Sequence, residues 1–255
     1  MRRIPARLFA VLLATPAAAL VGGAPEIGAN GLGRHVVMIV GSNGSFCTGA
    51  ALARDVVLTA AHCVLPGADY KLVEFDSGRR PSLKAIAAVA RHPEFTLRGL
   101  KSNRGTADLA LIKLAEPLPS SIRPAALSMS REIIKVGDRF TVTGYGITRP
   151  TDARSGGTLR AADLVATSRP DSMDVRLTDP ATNNARLGLG ACTGDSGAPV
   201  FQRTPEGTTI VGVVGWSMGP KNTQGCGGIT GVTPIARYRA WIVQTARRWG
   251  RVITP

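Results

Sequence analysis

Short β-branched apolar runs, each cut off by glycine or proline, fill this chain and restrict it to a fold of short strands. Thirty glycines and 17 prolines punctuate 255 residues, which suits strands joined by tight turns. Residues 36–40 (VVMIV) have the β-branched content of a buried strand. Residues 42–45 (SNGS) mark a turn. Residues 48–53 and 56–59 read as a strand pair around Arg54 and Asp55, and the second strand delivers His62 on a short helical turn beside Cys63. Further strands are expected at 70–75, 83–90, 109–114, 140–146 and 210–216. Residues 116–134 carry Pro117, Pro119 and Pro124 among serines and read as a long crossover loop. The C-terminal stretch breaks the pattern. Ile235, Tyr238, Trp241, Ile242 and Thr245 keep helical spacing, which predicts a helix over about 235–249.

Hydrophobic residues make up 44% of the chain, enough to bury a large core, and no internal repeat is evident. The formal charge is +14, a balance that favours acidic partners: nucleic acid, anionic surface polymers or acidic proteins. The lysines and arginines are nevertheless scattered, with Arg247, Arg248 and Arg251 the densest group. No basic motif interleaved with aromatics argues for RNA or DNA. The charge reads as a surface and solubility property, with acidic surfaces as partners and nucleic acid not expected. Residues 1–19 combine Arg2, Arg3 and Arg7 with the apolar run Leu8-Phe9-Ala10-Val11-Leu12-Leu13-Ala14 and the small residues Ala17-Ala18-Ala19. That order is expected of a signal peptide cleaved after residue 19. The apolar run is too short to span a bilayer and no later stretch is long and apolar enough. A secreted or periplasmic chain with no membrane span is expected. Four cysteines (Cys47, Cys63, Cys192 and Cys226) in an exported chain imply two disulfides. The sequence allows three pairings, and the spacing fits no zinc template.

The chemistry centres on Ala191-Cys192-Thr193-Gly194-Asp195-Ser196-Gly197-Ala198-Pro199. A hydroxyl is a poor nucleophile unless a base takes its proton and nearby N–H groups hold the oxyanion that forms. Glycines on both sides of Ser196 let the backbone turn so that such N–H groups converge. A polar Gly/Asp/Ser turn has the same composition, so two other stretches decide. They are Leu58-Thr59-Ala60-Ala61-His62-Cys63 and Asp108-Leu109-Ala110-Leu111-Ile112-Lys113-Leu114. His62 supplies an imidazole that can take the serine proton and later return it to the leaving amine, and Asp108 can fix its tautomer. Of the other histidines, His35 has no motif around it and His92 lies in the turn Arg91-His92-Pro93-Glu94; both read as structural. The order His, Asp, Ser is that of the chymotrypsin-type triad.

All three stretches match the motifs of the trypsin/chymotrypsin-like serine proteases. The chain resembles a secreted, bacterial-type member of that family from about residue 20 to residue 249. The Gly-aromatic-Gly strand at 140–146 and the start Leu20-Val21-Gly22-Gly23 add to the likeness. The resemblance implies an all-β protease domain over 20–250. Its two six-stranded antiparallel β-barrels would cover about 20–118 and 135–234, with a C-terminal α-helix after them. It implies a serine endopeptidase that works through an acyl-enzyme, with His62, Asp108 and Ser196 catalytic. The N–H groups of Gly194 and Ser196 would form the oxyanion hole. The disulfides it selects are Cys47–Cys63 and Cys192–Cys226. Triad and hole call for no metal and no organic cofactor, and no calcium-loop pattern stands between Gly67 and Arg80. The expected partner is a protein or peptide substrate, met by a monomer. The alternative is a catalytically weak relative that binds acidic polymers through its basic surface.

Specificity is where the chain departs from its family. The residue matching the pocket floor is Gly190, where trypsin-type enzymes carry an Asp that pairs with Lys or Arg. The walls match Gly215, Trp216, Ser217 and Gly231, with the small residues on either side of Trp216 exchanged. Gly215 can give no hydroxyl to Asp108, and Ser217 places a side chain at the pocket mouth. Residues 215–217 are expected to bind substrate backbone by strand addition. Small or medium apolar residues are expected before the scissile bond rather than Lys or Arg. The family likeness also implies that a freed N-terminal amine pairs with the acid before the nucleophile, here Leu20 with Asp195. The signal cleavage site falls directly before Leu20, so signal peptidase itself is expected to make the active N-terminus.

Overall fold

The computed structural model describes residues 20–28, 30–76, 80–101, 106–130, 134–168, 174–205 and 207–253; the expected signal peptide lies outside them. Its first six strands are β1 (Val36–Gly41), β2 (Phe46–Ala53), β3 (Val56–Thr59), β4 (Tyr70–Phe75), β5 (Pro81–Arg91) and β6 (Ala110–Leu114). They close into a barrel in the order β1-β2-β3-β6-β5-β4, each pair antiparallel. Closure leaves no unpaired edge. Between β5 and β6 lies one helical turn, α1 (Leu97–Lys101).

The second barrel follows β7 (Ala126–Leu127). It contains β8 (Arg139–Gly144), β9 (Arg160–Ala166), β10 (Val175–Thr178), β11 (Pro199–Thr204), β12 (Gly207–Met218) and β13 (Ile229–Pro234). The strands run β11-β8-β9-β10-β13-β12, and β11 pairs with β12 to close the ring. The short β7 adds in parallel to β12, so the proline-rich crossover contributes a strand as well as loop. The fold is two six-stranded antiparallel β-barrels with a C-terminal helix.

That helix, α2 (Arg239–Arg248), begins later than its apolar spacing predicts. β13 runs through Pro234, which pairs with Gly212, and the chain then turns, with the Tyr238 N–H donating to Ile235 O at 2.9 Å. Ile235 and Tyr238 are buried as the spacing requires, but they belong to that turn. Together with Ile242 and Ala246 they pack into the core of the first barrel, so the end of the chain straps the second barrel to the first. His92 completes the strap: its ring lies 4.9 Å from both Tyr238 and Trp241, edge to face.

Candidate active site

β3 ends at Thr59 and runs into a 3-10 turn, Ala61–Val64, that carries His62. Cys63 in that turn is disulfide-bonded to Cys47 of β2. Asp108 is 1% exposed between Ala107 and Leu109, both fully buried just before β6. β6 pairs with β3, which brings the acid to the histidine. Asp108 Oδ2 lies 2.7 Å from His62 Nδ1, and Asp108 Oδ1 accepts the His62 backbone N–H at 3.0 Å. A carboxylate there accepts the Nδ1–H, which leaves the lone pair on Nε2.

Ser196 shares a cavity of about 270 Å³ with His62, Gly194, Cys192, Trp216 and Ser217. First-barrel residues (Phe46, Cys47, His62) form one wall and the 191–196 loop the other. The loop is fixed by Asp195 N–H to Cys192 O (3.0 Å), Gly197 N–H to Val214 O (2.7 Å) and the Cys192–Cys226 disulfide. Gly194 and Gly197 sit at φ +93 and +82, where a Cβ is strained. Among the described residues, the N–H groups of Gly194 and Ser196 have no hydrogen-bond partner, while those of Asp195, Gly197 and Ala198 do. Unpaired backbone donors in a cavity wall can receive a negative oxygen. No hydrogen bond joins the side chains of Ser196 and His62 among the described residues; such bonds tighten when substrate binds.

Asp195 is fully buried. Its Oδ1 accepts the Gly146 N–H at 2.8 Å and its Oδ2 the Cys192 N–H at 2.9 Å. Burial pushes its carboxyl up to about 7, against the pull of those two N–H groups. Leu20, 0% exposed, packs in the second-barrel core with Ala191 and Ala198, which flank the serine loop. Val21 makes a bridge to Gly190. In the uncut chain the Leu20 nitrogen is an uncharged amide.

Of the pocket residues expected from sequence, Trp216 and Ser217 line the cavity. Gly190 is not among the described lining residues; a Cβ there would stand 3.1 Å from Gly227 Cα and 3.5 Å from Thr230 Oγ1. Gly231 lies beneath the Trp216 ring, so close that any side chain would collide with it. Gly215 is against Asp108, where a Cβ would stand 3.4 Å from Oδ2. The Ser217 hydroxyl donates to Gly225 O at 3.3 Å. Two residues of this region went unnoticed in the sequence. Phe46 lines the cavity beside Cys47; its place before a cysteine was the available signal. Asp174 Oδ2 accepts the Trp216 indole N–H at 3.1 Å, and nothing around it marks that role. His62, Cys47 and Cys63 offer ligand atoms within 4.8 Å of one another, but both sulfurs are spent in the disulfide and neither is a thiolate.

Two barrels meeting at a cleft that holds a His–Asp pair, a serine and two unpaired N–H groups have the architecture of the chymotrypsin fold. The trypsin family profile matches residues 21–242, and the chain belongs to the trypsin family of serine proteases. A CLIP domain-containing serine protease, B15, of Anopheles gambiae is 26% identical over 223 residues, which cover 77% of this chain. The chain spans 60% of that relative's length. This relative is an insect protein, so a bacterial type finds no support from it. No helix among the described residues is long and apolar enough to cross a membrane.

Proposed function

We propose that this chain is an exported endopeptidase that cleaves proteins or peptides after uncharged residues. The observation that carries the reading is the His62–Asp108 pair facing the same cavity as Ser196 and the free N–H groups of Gly194 and Ser196. His62 Nε2 takes the Ser196 proton as Oγ attacks the scissile carbonyl carbon. Asp108 holds the imidazolium, and the two N–H groups hold the oxyanion. The C–N bond then breaks, and the proton on Nε2 goes to the leaving amine. Water repeats the sequence on the acyl-enzyme and frees Ser196. The chemistry requires no metal or organic cofactor.

Apart from His62, none of the described residues lining the cavity is ionisable. A Lys or Arg side chain entering it would lose its hydration without gaining a carboxylate, which is costly. Two disulfides suit an oxidising compartment outside the cytosol. In this reading signal cleavage before Leu20 frees an amine that pairs with Asp195 and orders Gly194. The positive surface favours acidic proteins as substrates. The test compares kcat/KM of wild type and Ser196→Ala on peptides with Ala, Val, Leu, Phe, Arg or Glu before the scissile bond. Wild type prefers the apolar set over Arg by about a hundredfold, and Ser196→Ala lowers every rate by about 10⁴-fold or more. A preference for Arg sinks the pocket assignment; an active Ser196→Ala sinks the mechanism.

A further inference from the structure

Thr48 of β2 is 0% exposed, and each of its polar atoms is bonded. Its N–H donates to Ser196 O at 2.8 Å and its hydroxyl donates to Gly194 O at 2.8 Å. The same hydroxyl accepts the Tyr145 N–H at 3.1 Å. Its carbonyl accepts the Thr59 hydroxyl at 2.8 Å, and Thr59 is the last residue of β3, just ahead of His62. The two carbonyls that Thr48 grips thus belong to the two residues with unpaired N–H groups. Gly197 permits this approach, because a Cβ there would collide with the Thr59 hydroxyl and the Thr48 carbonyl.

We propose that Thr48 is a positioning residue for the oxyanion hole, holding Gly194 and Ser196 in register with His62 across the two barrels. Gly194 has no side chain to restrain it, so its orientation depends on the peptide planes on either side. The plane before it, which contains its N–H, is held by the Ile147 N–H donating to Thr193 O at 2.8 Å. The plane after it is held at its carbonyl by the Thr48 hydroxyl and at its N–H by the Asp195 bond to Cys192 O. Oxyanion donors act through fixed placement, and they bind the transition state more tightly than the substrate. Loosening one plane therefore lowers kcat and leaves KM nearly unchanged. A valine of the same shape would remove both the bond to Gly194 O and the bond from the Tyr145 N–H.

The inference rests on the reading of Gly194 and Ser196 as oxyanion donors, and the test separates the two. Wild type, Thr48→Val, Thr48→Ser and Ser196→Ala are purified as the whole exported chain. Active sites are counted with a phosphonate, and kcat and KM are measured on an apolar peptide substrate. Affinity for a peptidyl trifluoromethyl ketone, which forms a tetrahedral adduct, is measured alongside. Thr48→Val is expected to lose about tenfold in kcat with KM within about twofold, and to bind the ketone about tenfold more weakly. Thr48→Ser keeps both hydrogen bonds and stays within about twofold of wild type. Unchanged kcat in Thr48→Val, or a tenfold loss in Thr48→Ser, overturns the proposal. Where Thr48→Val does not fold, Thr48→Ala carries the same expectation and Thr48→Ser the same veto. If Ser196→Ala turns over substrate, the underlying mechanism fails; if it is dead and Thr48→Val is unaffected, only the role of Thr48 fails.

Discussion

Asp195 holds its carboxyl against two backbone N–H groups and meets no cation among the described residues. Its pKa lies at about 7 because it is buried, well above that of a carboxyl in an unfolded chain. Between the two values the folded chain holds a proton that the unfolded chain has lost. Stability therefore falls as pH rises through that window and levels off above about 7. In the proposed active form, a free Leu20 amine paired with Asp195 would supply the missing charge and remove the fall. A chain extended before Leu20 is thus expected to lose Tm between about pH 5 and pH 7.5, while one that begins at Leu20 does not. Asp195→Asn flattens the profile of the extended chain. Thermal unfolding across pH, with N-terminal sequencing of each sample, checks this, and a flat profile in the extended chain contradicts it. Ser196, His62 and Asp108 were legible because each lies in a contiguous run of residues that constrain one another locally. Thr48 was not, because its role depends on Gly194, 146 residues further on.

The Cys47–Cys63 disulfide ties the turn that bears His62 to β2 across 16 residues. Closing a loop of that size is worth about 3 kcal/mol in the chain-entropy model. Replacing both cysteines by serine should lower Tm by about 10 °C. It should also lower kcat, since the turn then rests on hydrogen bonds alone, from His62 to Asp108 and from Arg91 Nη1 to Val64 O. Calorimetry and turnover on one sample test both; an unchanged Tm would remove the disulfide from the account. First-barrel strands were legible because β1, β3 and β6 are nearly uninterrupted apolar runs. β9, β10, β11 and β13 were not foreseen. β9 contains a buried Arg160 and the polar Asp163, β11 opens on Pro199, and β13 contains Gly231 and ends on Pro234. Barrel closure, rather than local pattern, makes these segments strands. The apolar spacing overruns the start of the helix because the buried Ile235 and Tyr238 mimic helical spacing inside a turn.

Across the whole molecule, the first barrel supplies His62 and Asp108 and the second supplies Ser196, so catalysis depends on how the two are held together. Thr48, α2 and His92 each make that connection, and the cavity lies where the barrels meet. Ser196 as a nucleophile activated by His62 can be tested directly. Purified chain is treated with a peptidyl diphenyl phosphonate of apolar side chain, and the adduct is mapped by mass spectrometry while hydrolysis is followed. One adduct is expected, on Ser196, formed in step with the loss of hydrolysis and absent in His62→Ala. Hydrolysis that persists with Ser196 fully modified, or that is lost with an adduct on another residue, would contradict it.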